Sequence, residues 1–456
     1  MPTFPNGFLW GVATSAYQIE GAAAADGRGP SIWDTFSHTP GAILHGDTGE
    51  VAADHYHRFD DDLDLIARLG IPGYRFSIAW PRVQPDGRGA VNRRGIDFYR
   101  RLLEGLRVRE IEPMATLYHW DLPQALDDDG GWLNRDTALR FADYAASVVN
   151  ELGELAGRWI TLNEPWCSAF LGYYEGRFAP GHRNYSEALG ATHHLLLAHG
   201  LGVAAVRAAS PAAELGITVN LADIVPASPD DAEAAERADL EENRLFLEPV
   251  FHGRYPDSVG EVLADPSVVR DGDLETISAP LDFFGLNYYV SETIAADPTE
   301  AERGWRRVPP TGDLTSKGDG IAPEGLTRIL LRVANEYARG APIYITENGA
   351  AFSDYVDPNG RVNDSERIDY LREHFEAAHV ALEAGVDLRG YFVWSLLDNF
   401  EWDSGYSMRF GLVFVDYGTQ RRIPKASADW YSDVIRQNGF QPTGQRVDYE
   451  PLVASE

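Results

Sequence analysis

The chain has 456 residues, of which 44% are hydrophobic and 24% are charged, so it can bury a large core and does not have the composition of a disordered protein. Its 70 acidic residues outnumber its 39 basic residues and give a formal charge of −31, which repels phosphate backbones and anionic lipid surfaces. The composition therefore argues against nucleic acid and membranes as partners.

The cysteine content and the first residues bear on where the protein works. Cys167 is the single cysteine, so the chain can form neither an internal disulfide nor a cysteine-based zinc site. The first segment, MPTFPNGFLWG, lacks the basic start and long apolar stretch of a secretory signal, and no run of about 18 apolar residues follows it. We expect a soluble, cytoplasmic protein in which Cys167 is buried and inert.

Short β-branched or aromatic runs alternate with longer amphipathic stretches along the chain, which is typical of parallel strands joined by helices. The predicted strands are residues 8–13, 73–78, 113–119, 159–163, 215–221, 283–288, 343–346 and 390–395. Helical spacing of apolar residues predicts helices over 59–69, 96–106, 137–152 and 368–382. The first of these should end at Gly70, and the last should be capped by Asn363 and Glu366. Eight strand and helix pairs favour a closed (β/α)8 barrel over an open sheet.

No linker or change of composition divides residues 1–456, so we expect one catalytic domain, a single (β/α)8 TIM barrel. Segments 22–53, 296–323 and 397–424 are too long to be simple connections, and each follows a predicted strand. Loops that follow the strands form the active-site face of such barrels. The first and last of these segments are rich in aromatic residues and turn formers and are therefore predicted to form walls around a pocket.

Two predicted strands end in a glutamate just before a chain-breaking residue. The segment TLNEP contains Glu164, and the segment ITENG contains Glu347. The two residues are far apart in the chain, so only the whole fold can bring them together, and paired carboxylates of this kind cleave glycosidic bonds. Each glutamate could instead be a helix cap or a salt-bridge partner. However, a purely structural role would then have to be assumed separately for each of the other polar and aromatic residues near strand ends, which makes coincidence improbable. These residues are Gln18, Arg75, His119, Asn163, Asn287, Tyr289, Trp394, Glu401 and Trp402.

These segments resemble glycoside hydrolase family 1, the β-glucosidase family of retaining enzymes on a (β/α)8 barrel. The resemblance runs in order through FLWGVATSAYQIEG, YRFSIAWPR, YHWDLP, TLNEPW, GLNYY, ITENG and SLLDNFEW. It implies that Glu164 is the acid/base and Glu347 the nucleophile. It also implies that Asn163 binds the sugar 2-hydroxyl and that Arg75 and Tyr289 hold the nucleophile. The further substrate-binding residues that it implies are Gln18, His119, Trp120, Trp394, Glu401, Trp402 and Phe410.

Glycosidic chemistry requires opposite protonation states of the two acids. A glycosidic oxygen is a poor leaving group unless it is protonated, so Glu164 must hold its proton near neutral pH. Glu347 must stay ionised to attack the anomeric carbon, which the charge of Arg75 and the hydroxyl of Tyr289 would favour. Carboxyl groups about 5 to 5.5 Å apart would then retain the anomeric configuration.

The predicted function is a retaining exo-β-glycosidase, most simply a β-glucosidase that also accepts galactosyl or fucosyl residues. Its expected substrates are small β-linked glycosides such as cellobiose or aryl glucosides. Glu164 argues against a thioglucosidase, in which an amide commonly replaces the acid, and Glu401 would repel a phosphorylated sugar. In the family, a tryptophan often occupies the position of Asp319, so the aglycone side differs here.

Two alternatives stay open at this point. One is preferential transglycosylation, which uses the same residues, and the other is a sugar-binding barrel without turnover. The mechanism needs no cofactor and no metal, and a homo-oligomer stays open as well.

Overall fold

The computed structural model describes residues 2–257, 261–338 and 340–442, and the strands in this part of the chain form one closed barrel and two small sheets. In chain order the strands are β1 (Leu9–Ala13), β2 (Gly73–Ser77), β3 (Glu112–Tyr118), β4 (Arg158–Asn163), β5 (Glu214–Asn220), β6 (Asp223–Pro226), β7 (Phe284–Asn287), β8 (Ser291–Ala296), β9 (Trp305–Val308), β10 (Ile343–Asn348), β11 (Leu388–Trp394), β12 (Val413–Asp416) and β13 (Arg421–Pro424). The barrel strands are β1, β2, β3, β4, β5, β7, β10 and β11, which are parallel neighbours in that order. Each predicted strand overlaps one barrel strand to within two residues, which confirms the predicted fold class.

Helices surround the barrel and fill its loops. In chain order they are α1 (Ala16–Ile19), α2 (Ile32–Ser37), α3 (His55–Arg68), α4 (Trp80–Val83), α5 (Arg93–Val108), α6 (Gln124–Asp128), α7 (Asp136–Leu152), α8 (Tyr185–Ala209), α9 (Ala232–Asp239), α10 (Leu245–His252), α11 (Asp273–Ile277), α12 (Pro323–Arg332), α13 (Ser365–Glu383) and α14 (Ala426–Gln437). Short π-helical segments cover Cys167–Tyr174, Leu240–Arg244 and Val333–Tyr337. Short 3₁₀ turns cover Ala25–Gly27, Leu44–Gly46, Gly131–Leu133, Pro229–Asp231, Glu261–Ala264 and Trp402–Ser404.

The four predicted helices correspond to α3, α5, α7 and α13, and each begins one to four residues before the predicted start. The prediction began at the first apolar residue of the pattern, whereas the first turn of a helix is held by backbone geometry and is often polar. Gly70 follows α3 with φ 67°, as the prediction of a C-cap requires.

The predicted capping of α13 is wrong. Asp364, and not Asn363, precedes the helix, and no side chain caps its first turn. The Asp364 carboxylate instead accepts the Ser427 N–H at 2.9 Å and pairs with Arg367. A tertiary contact with the start of α14 has therefore replaced the local cap.

The two small sheets are built from the loops that follow barrel strands. Strands β6, β8 and β9 form one sheet from the segments after β5 and β7, and β12 pairs with β13 after β11. The predicted long segments 296–323 and 397–424 contain parts of these sheets. They lie at the carboxyl end of the barrel, where the predicted pocket should be.

The helix α8 is long and apolar enough to cross a bilayer by length and composition. However, 78% of its most apolar window is buried inside the protein, and it packs against α7. Within the described residues this burial is the pattern of a core helix.

The barrel interior changes from apolar to polar along the strands. Near one end, Met114, Ile160, Phe283 and Phe392 belong to one buried apolar cluster. Towards the carboxyl ends, the Thr218 hydroxyl donates to Thr346 at 3.2 Å, and Thr346 donates to Asn287 at 2.7 Å. The apolar cluster extends to Trp394 and Phe410, so it packs beside this polar layer up to the carboxyl ends of the strands.

Candidate active site

The two predicted catalytic glutamates lie at the polar end of the barrel, at the ends of strands that are separated by β5 and β7. Glu347 lies within β10, and Glu164 directly follows β4. Asn287, at the end of β7, links them: its backbone pairs in register with Glu347, and its side chain donates to Glu164 Oε1 at 2.7 Å. The fold thus brings together the two strand tips that the sequence separates.

Glu347 is held by two donors from different parts of the barrel. The Arg75 guanidinium forms an ion pair with Glu347 Oε1, and the Tyr289 hydroxyl donates to Oε2 at 2.7 Å. Arg75 lies on β2, which is not a neighbour of β10, so its side chain must cross the barrel interior. A cation and a hydroxyl against a buried carboxylate favour its ionised form.

Glu164 lies in a different electrostatic environment. It is 5% exposed, and burial together with the charge of Glu347 raises the pKa of Glu164 to about 8, although hydrogen bonds from Asn287 and Cys167 lower it. The Cys167 thiol lies 3.2 Å from Glu164 Oε2. At neutral pH Glu164 therefore holds its proton, as the acid in glycosidic cleavage must.

Asn163 connects the two acids to the rest of the site through its hydrogen bonds. Its Oδ1 accepts from Arg75 Nη2 at 2.6 Å and from Asn287 Nδ2 at 3.2 Å, and its Nδ2 lies 3.1 Å from His119 Nε2. Burial, and next the charge of Arg75, holds the pKa of His119 well below its usual range, so the ring is neutral. Since His119 Nε2 accepts from Asn163, the ring carries its proton on Nδ1, which has no partner within the described residues.

Aromatic rings form a second wall beside His119. Its ring lies nearly parallel to those of Trp394 and Trp402, at centroid distances of 5.9 and 6.0 Å. The ring centroids of Trp120 and Trp402 are 4.4 Å apart, and the Trp120 indole N–H donates to the Asn163 carbonyl at 2.9 Å. Flat apolar faces next to hydrogen-bonding groups match the two kinds of surface on a pyranose ring.

Gln18 and Glu401 form the polar edge of this wall. The Gln18 amide donates to Asn399 Oδ1 and to the Phe400 carbonyl, both at 3.0 Å, and lies 3.4 Å from Glu401 Oε2. On the other side of Glu401, Lys317 Nζ lies 3.1 Å from Oε1 and 5.8 Å from the ring centroid of Phe410. With these contacts, all the predicted site residues belong to one network of hydrogen bonds, ion pairs and ring contacts.

Three site residues have backbone conformations that favour glycine. Trp120, Glu164 and Trp402 have φ values of 75°, 46° and 49°. A left-handed conformation costs an L-residue about 1 to 2 kcal/mol, so the surrounding packing must hold these residues in place. Each lies just after a barrel strand or in the loop after β11, where the turn directs the side chain into the site.

Some contacts of the site were not predicted from the sequence. Asn287 was noted only as a strand-end residue, although it bridges Glu164 and Asn163. Cys167 is buried as predicted, but it contacts the predicted acid/base. Lys317 was missed, and the one signal that could have found it is its rarity, because this chain has only two lysines, Lys317 and Lys425.

The fold and the site together define a class of protein. A closed (β/α)8 barrel with two buried glutamates at its carboxyl end beside aromatic rings is the arrangement of a glycoside hydrolase. The chain belongs to glycosyl hydrolase family 1, whose model matches residues 1–440. This finding confirms the resemblance seen in the sequence.

Known proteins similar to this chain agree with the family. The chain is 51% identical over 446 residues to the "Thermostable beta-glucosidase B" of Thermobispora bispora, with 96% of this chain and 92% of that protein covered. It is 48% identical over 458 residues to the "Bifunctional beta-D-glucosidase/beta-D-fucosidase" of Bifidobacterium breve, covering 95% and 98% of the two chains. A solved structure of the β-glucosidase from Thermotoga maritima in complex with azafagomine matches with a TM-score of 0.93 and 47% identity, covering 97% of this chain and 100% of that one.

Proposed function

We propose that this protein is a β-glucosidase that removes terminal β-D-glucosyl residues from small glycosides by double displacement with retention of configuration. One observation carries the proposal: two buried acids within one network have different electrostatic surroundings. Glu164 has a pKa raised to about 8, whereas Glu347 lies against a guanidinium and a phenol. A sugar-binding barrel without turnover would need no such difference.

In the first half-reaction Glu347 acts as the nucleophile and Glu164 as the acid. A Glu347 oxygen attacks the anomeric carbon, and the bond from that carbon to the glycosidic oxygen breaks. Glu164 transfers its proton to the leaving oxygen, so the aglycone departs as a neutral alcohol. Arg75 and Tyr289 keep Glu347 oriented until it forms the ester.

In the second half-reaction Glu164 changes its role. Esterification removes the charge of Glu347, which is one of the two causes that raise the pKa of Glu164. Glu164, left ionised by the first step, now takes a proton from water as the water oxygen attacks the anomeric carbon. The bond to Glu347 breaks, and glucose leaves with its original anomeric configuration.

The pocket supports a neutral, hydroxyl-rich sugar as substrate. Trp394 and Trp402 offer ring faces, and the side chains of Gln18, His119, Asn163 and Glu401 offer hydrogen-bonding groups. The relative from Bifidobacterium breve is named for both glucosidase and fucosidase activity, so we include β-fucosides, together with β-galactosides, among the candidate substrates. Cellobiose and aryl β-glucosides are the first substrates to test, and cellobiose cleavage would place the enzyme in cellulose breakdown. A cytoplasmic location and a homo-oligomeric state are further proposals.

The test is to measure hydrolysis of nitrophenyl β-glycosides of glucose, galactose and fucose, and of cellobiose. We expect the glucoside and cellobiose to be cleaved, and proton NMR of the first product to show β-glucose before mutarotation. α-Glucose as the first product would refute retention, and no cleavage of any β-glycoside would refute the proposed function. The ratio of transfer products to glucose at high substrate concentration then measures transglycosylation.

A further inference from the structure

The lysines of this chain are unusual in number and in position. Among 39 basic residues only Lys317 and Lys425 are lysines, and both are paired with acids. The side chain of Lys425 is completely buried, whereas 31% of the Lys317 side chain is exposed. Lys317 lies in the segment between β9 and α12, within the long segment 296–323 that follows a predicted strand.

Lys317 contacts the pocket through Glu401. Its Nζ lies 3.1 Å from Glu401 Oε1, and the second carboxylate oxygen lies 3.4 Å from Gln18 Nε2. The ammonium also lies 5.8 Å from the Phe410 ring centroid, and that ring is 6.4 Å from the ring of Tyr289. Lys317 is therefore part of the wall that contains the proposed sugar-binding residues, and Glu401 engages only one of its three N–H groups.

The electrostatics of the pair show why Glu401 needs a cation. Glu401 is 5% exposed, and burial raises its pKa, as do the charges of Asp403 and Glu347, while Lys317 lowers it. Burial is the largest influence on the pKa of Lys317 and lowers it, but the charges of Glu401, Asp319 and Asp403 and the hydrogen bond to Glu401 together outweigh burial, and the net pKa is raised. Each group thus keeps its partner charged. The other titratable groups around the pair are Asp319, Asp403, Glu347, Tyr289, Tyr417 and Cys167.

We propose that Lys317 is a positioning residue for sugar binding, which pairs with Glu401 and holds it in place so that its carboxylate accepts hydrogen bonds from the bound sugar. This inference rests on the proposed function, because it assumes that Glu401 binds sugar hydroxyl groups. Hydrogen bonds to an ionised carboxylate are about twice as strong as bonds between neutral groups. A carboxyl group that had taken up a proton would therefore bind the sugar less well.

The test compares Lys317→Met with Lys317→Arg. The methionine has a similar length and no charge, whereas the arginine keeps the charge. The measured quantity is the inhibition constant of glucose, as a competitive inhibitor of aryl β-glucoside hydrolysis, between pH 5.5 and 8. We expect Lys317→Met to raise this constant about tenfold at the acidic end of this range and less at the alkaline end, because loss of the cation raises the pKa of Glu401 further. Lys317→Arg should stay within about threefold of the unchanged enzyme at every pH.

A matched control removes a charge elsewhere. Arg389→Met takes one exposed cation from the start of β11, near the opposite end of the barrel, and should leave the inhibition constant unchanged. The proposal is overturned if Lys317→Met follows the unchanged enzyme within twofold at all pH values, or if Arg389→Met has the same effect. An unchanged enzyme that cleaves no aryl β-glucoside would refute the proposed function instead. Thermal melting verifies that each variant is folded.

A second measurement follows the Lys317 amine of the unchanged enzyme directly by NMR. Reductive methylation with ¹³C-formaldehyde keeps the charge of an amine, and a chain with two lysines, one of them completely buried, gives very few NMR signals. Lys317→Arg identifies the Lys317 signal by its absence. We expect this signal to shift on addition of glucose and to titrate above the ordinary lysine value of ~10.4. A Lys317 signal whose chemical shift does not change on addition of glucose would overturn the proposal.

Discussion

At the residue scale, the protonation of Glu164 depends on its surroundings and not on its position in the chain. Burial and the neighbouring charge of Glu347 raise the pKa of Glu164 to about 8. The protonated form is the one that donates, so activity should be lost as the pH rises through this value. We expect kcat/KM for an aryl β-glucoside to fall above about pH 8, and Glu164→Gln to lack this fall. A profile that already falls near pH 6 would contradict the assignment.

Glu164 also sets how strongly the rate depends on the leaving group. A nitrophenolate can depart with little help from an acid, whereas the alcohol of cellobiose cannot. We expect Glu164→Ala to reduce kcat/KM for cellobiose by about 10³-fold or more and to affect a dinitrophenyl glucoside far less. Equal losses on both substrates would remove Glu164 from the role of proton donor.

Glu347 should be indispensable for every substrate, because no covalent route exists without it. We expect Glu347→Ala to reduce kcat by about 10⁴-fold or more for activated and unactivated glucosides alike. Nitrophenol release measures the loss, and a circular dichroism spectrum confirms that the variant is folded. Activity near that of the unchanged enzyme would rule out Glu347 as the nucleophile.

At the element scale, the loop after β11 carries Glu401, Trp402 and Phe410 and is fixed by buried charges. The Asp398 carboxylate in this loop accepts the Gly411 N–H at 3.0 Å and contacts Lys425 Nζ at 2.8 Å. Lys425 also contacts Asp354 at 2.6 Å, which joins the loop to the segment before α13. A chain of ion pairs thus holds a long loop that has little regular structure of its own.

Removing the cation from this network should destabilise the protein. Lys425→Met would leave Asp354 and Asp398 buried near each other with less compensation, and breaking such a pair costs about 3–5 kcal/mol. We expect the midpoint of urea unfolding to fall accordingly. Arg389→Met, which breaks an exposed ion pair with Asp387, should change the free energy of unfolding by less than about 1 kcal/mol. Similar small losses for both variants would contradict the role of the buried network.

At the scale of the whole molecule, the two ends of the described chain meet. Strand β1 closes the barrel against β11, and the Tyr431 hydroxyl of α14 donates to the Gly11 carbonyl at 2.8 Å. Trp10 Nε1 donates to Asn438 Oδ1 at 3.0 Å. The barrel is complete only when the last helix lies against the first strand.

The closed barrel leads to a test of the expectation that the chain forms a single domain. If residues 1–456 form one domain, secondary structure, tryptophan environment and activity should be lost together on heating, because no strand can leave a closed barrel alone. Far-ultraviolet circular dichroism, near-ultraviolet circular dichroism and residual activity should give the same midpoint at one heating rate. Separate midpoints for the two circular dichroism signals would contradict a single domain.

The local parts of this architecture could be predicted from the sequence because they follow from periodicity and composition. The β-branched runs gave the barrel strands to within two residues, and helix ends were less accurate because a polar first turn carries no apolar signal. The Asp364 contact with Ser427 shows the limit of such reasoning. The predicted cap used neighbours in the chain, whereas the observed partner, Ser427, is distant in the sequence and comes near only in the folded protein.

Strand patterns and motif residues follow one another along the chain, so the barrel, the family and the two candidate glutamates could be predicted from the sequence. The folded protein was needed to show which groups raise the pKa of Glu164 and that Lys317 pairs with Glu401. The physical reason is that a pKa depends on burial and on charges a few ångströms away. Those neighbours come from other strands and loops, and their distances exist only once the barrel has closed.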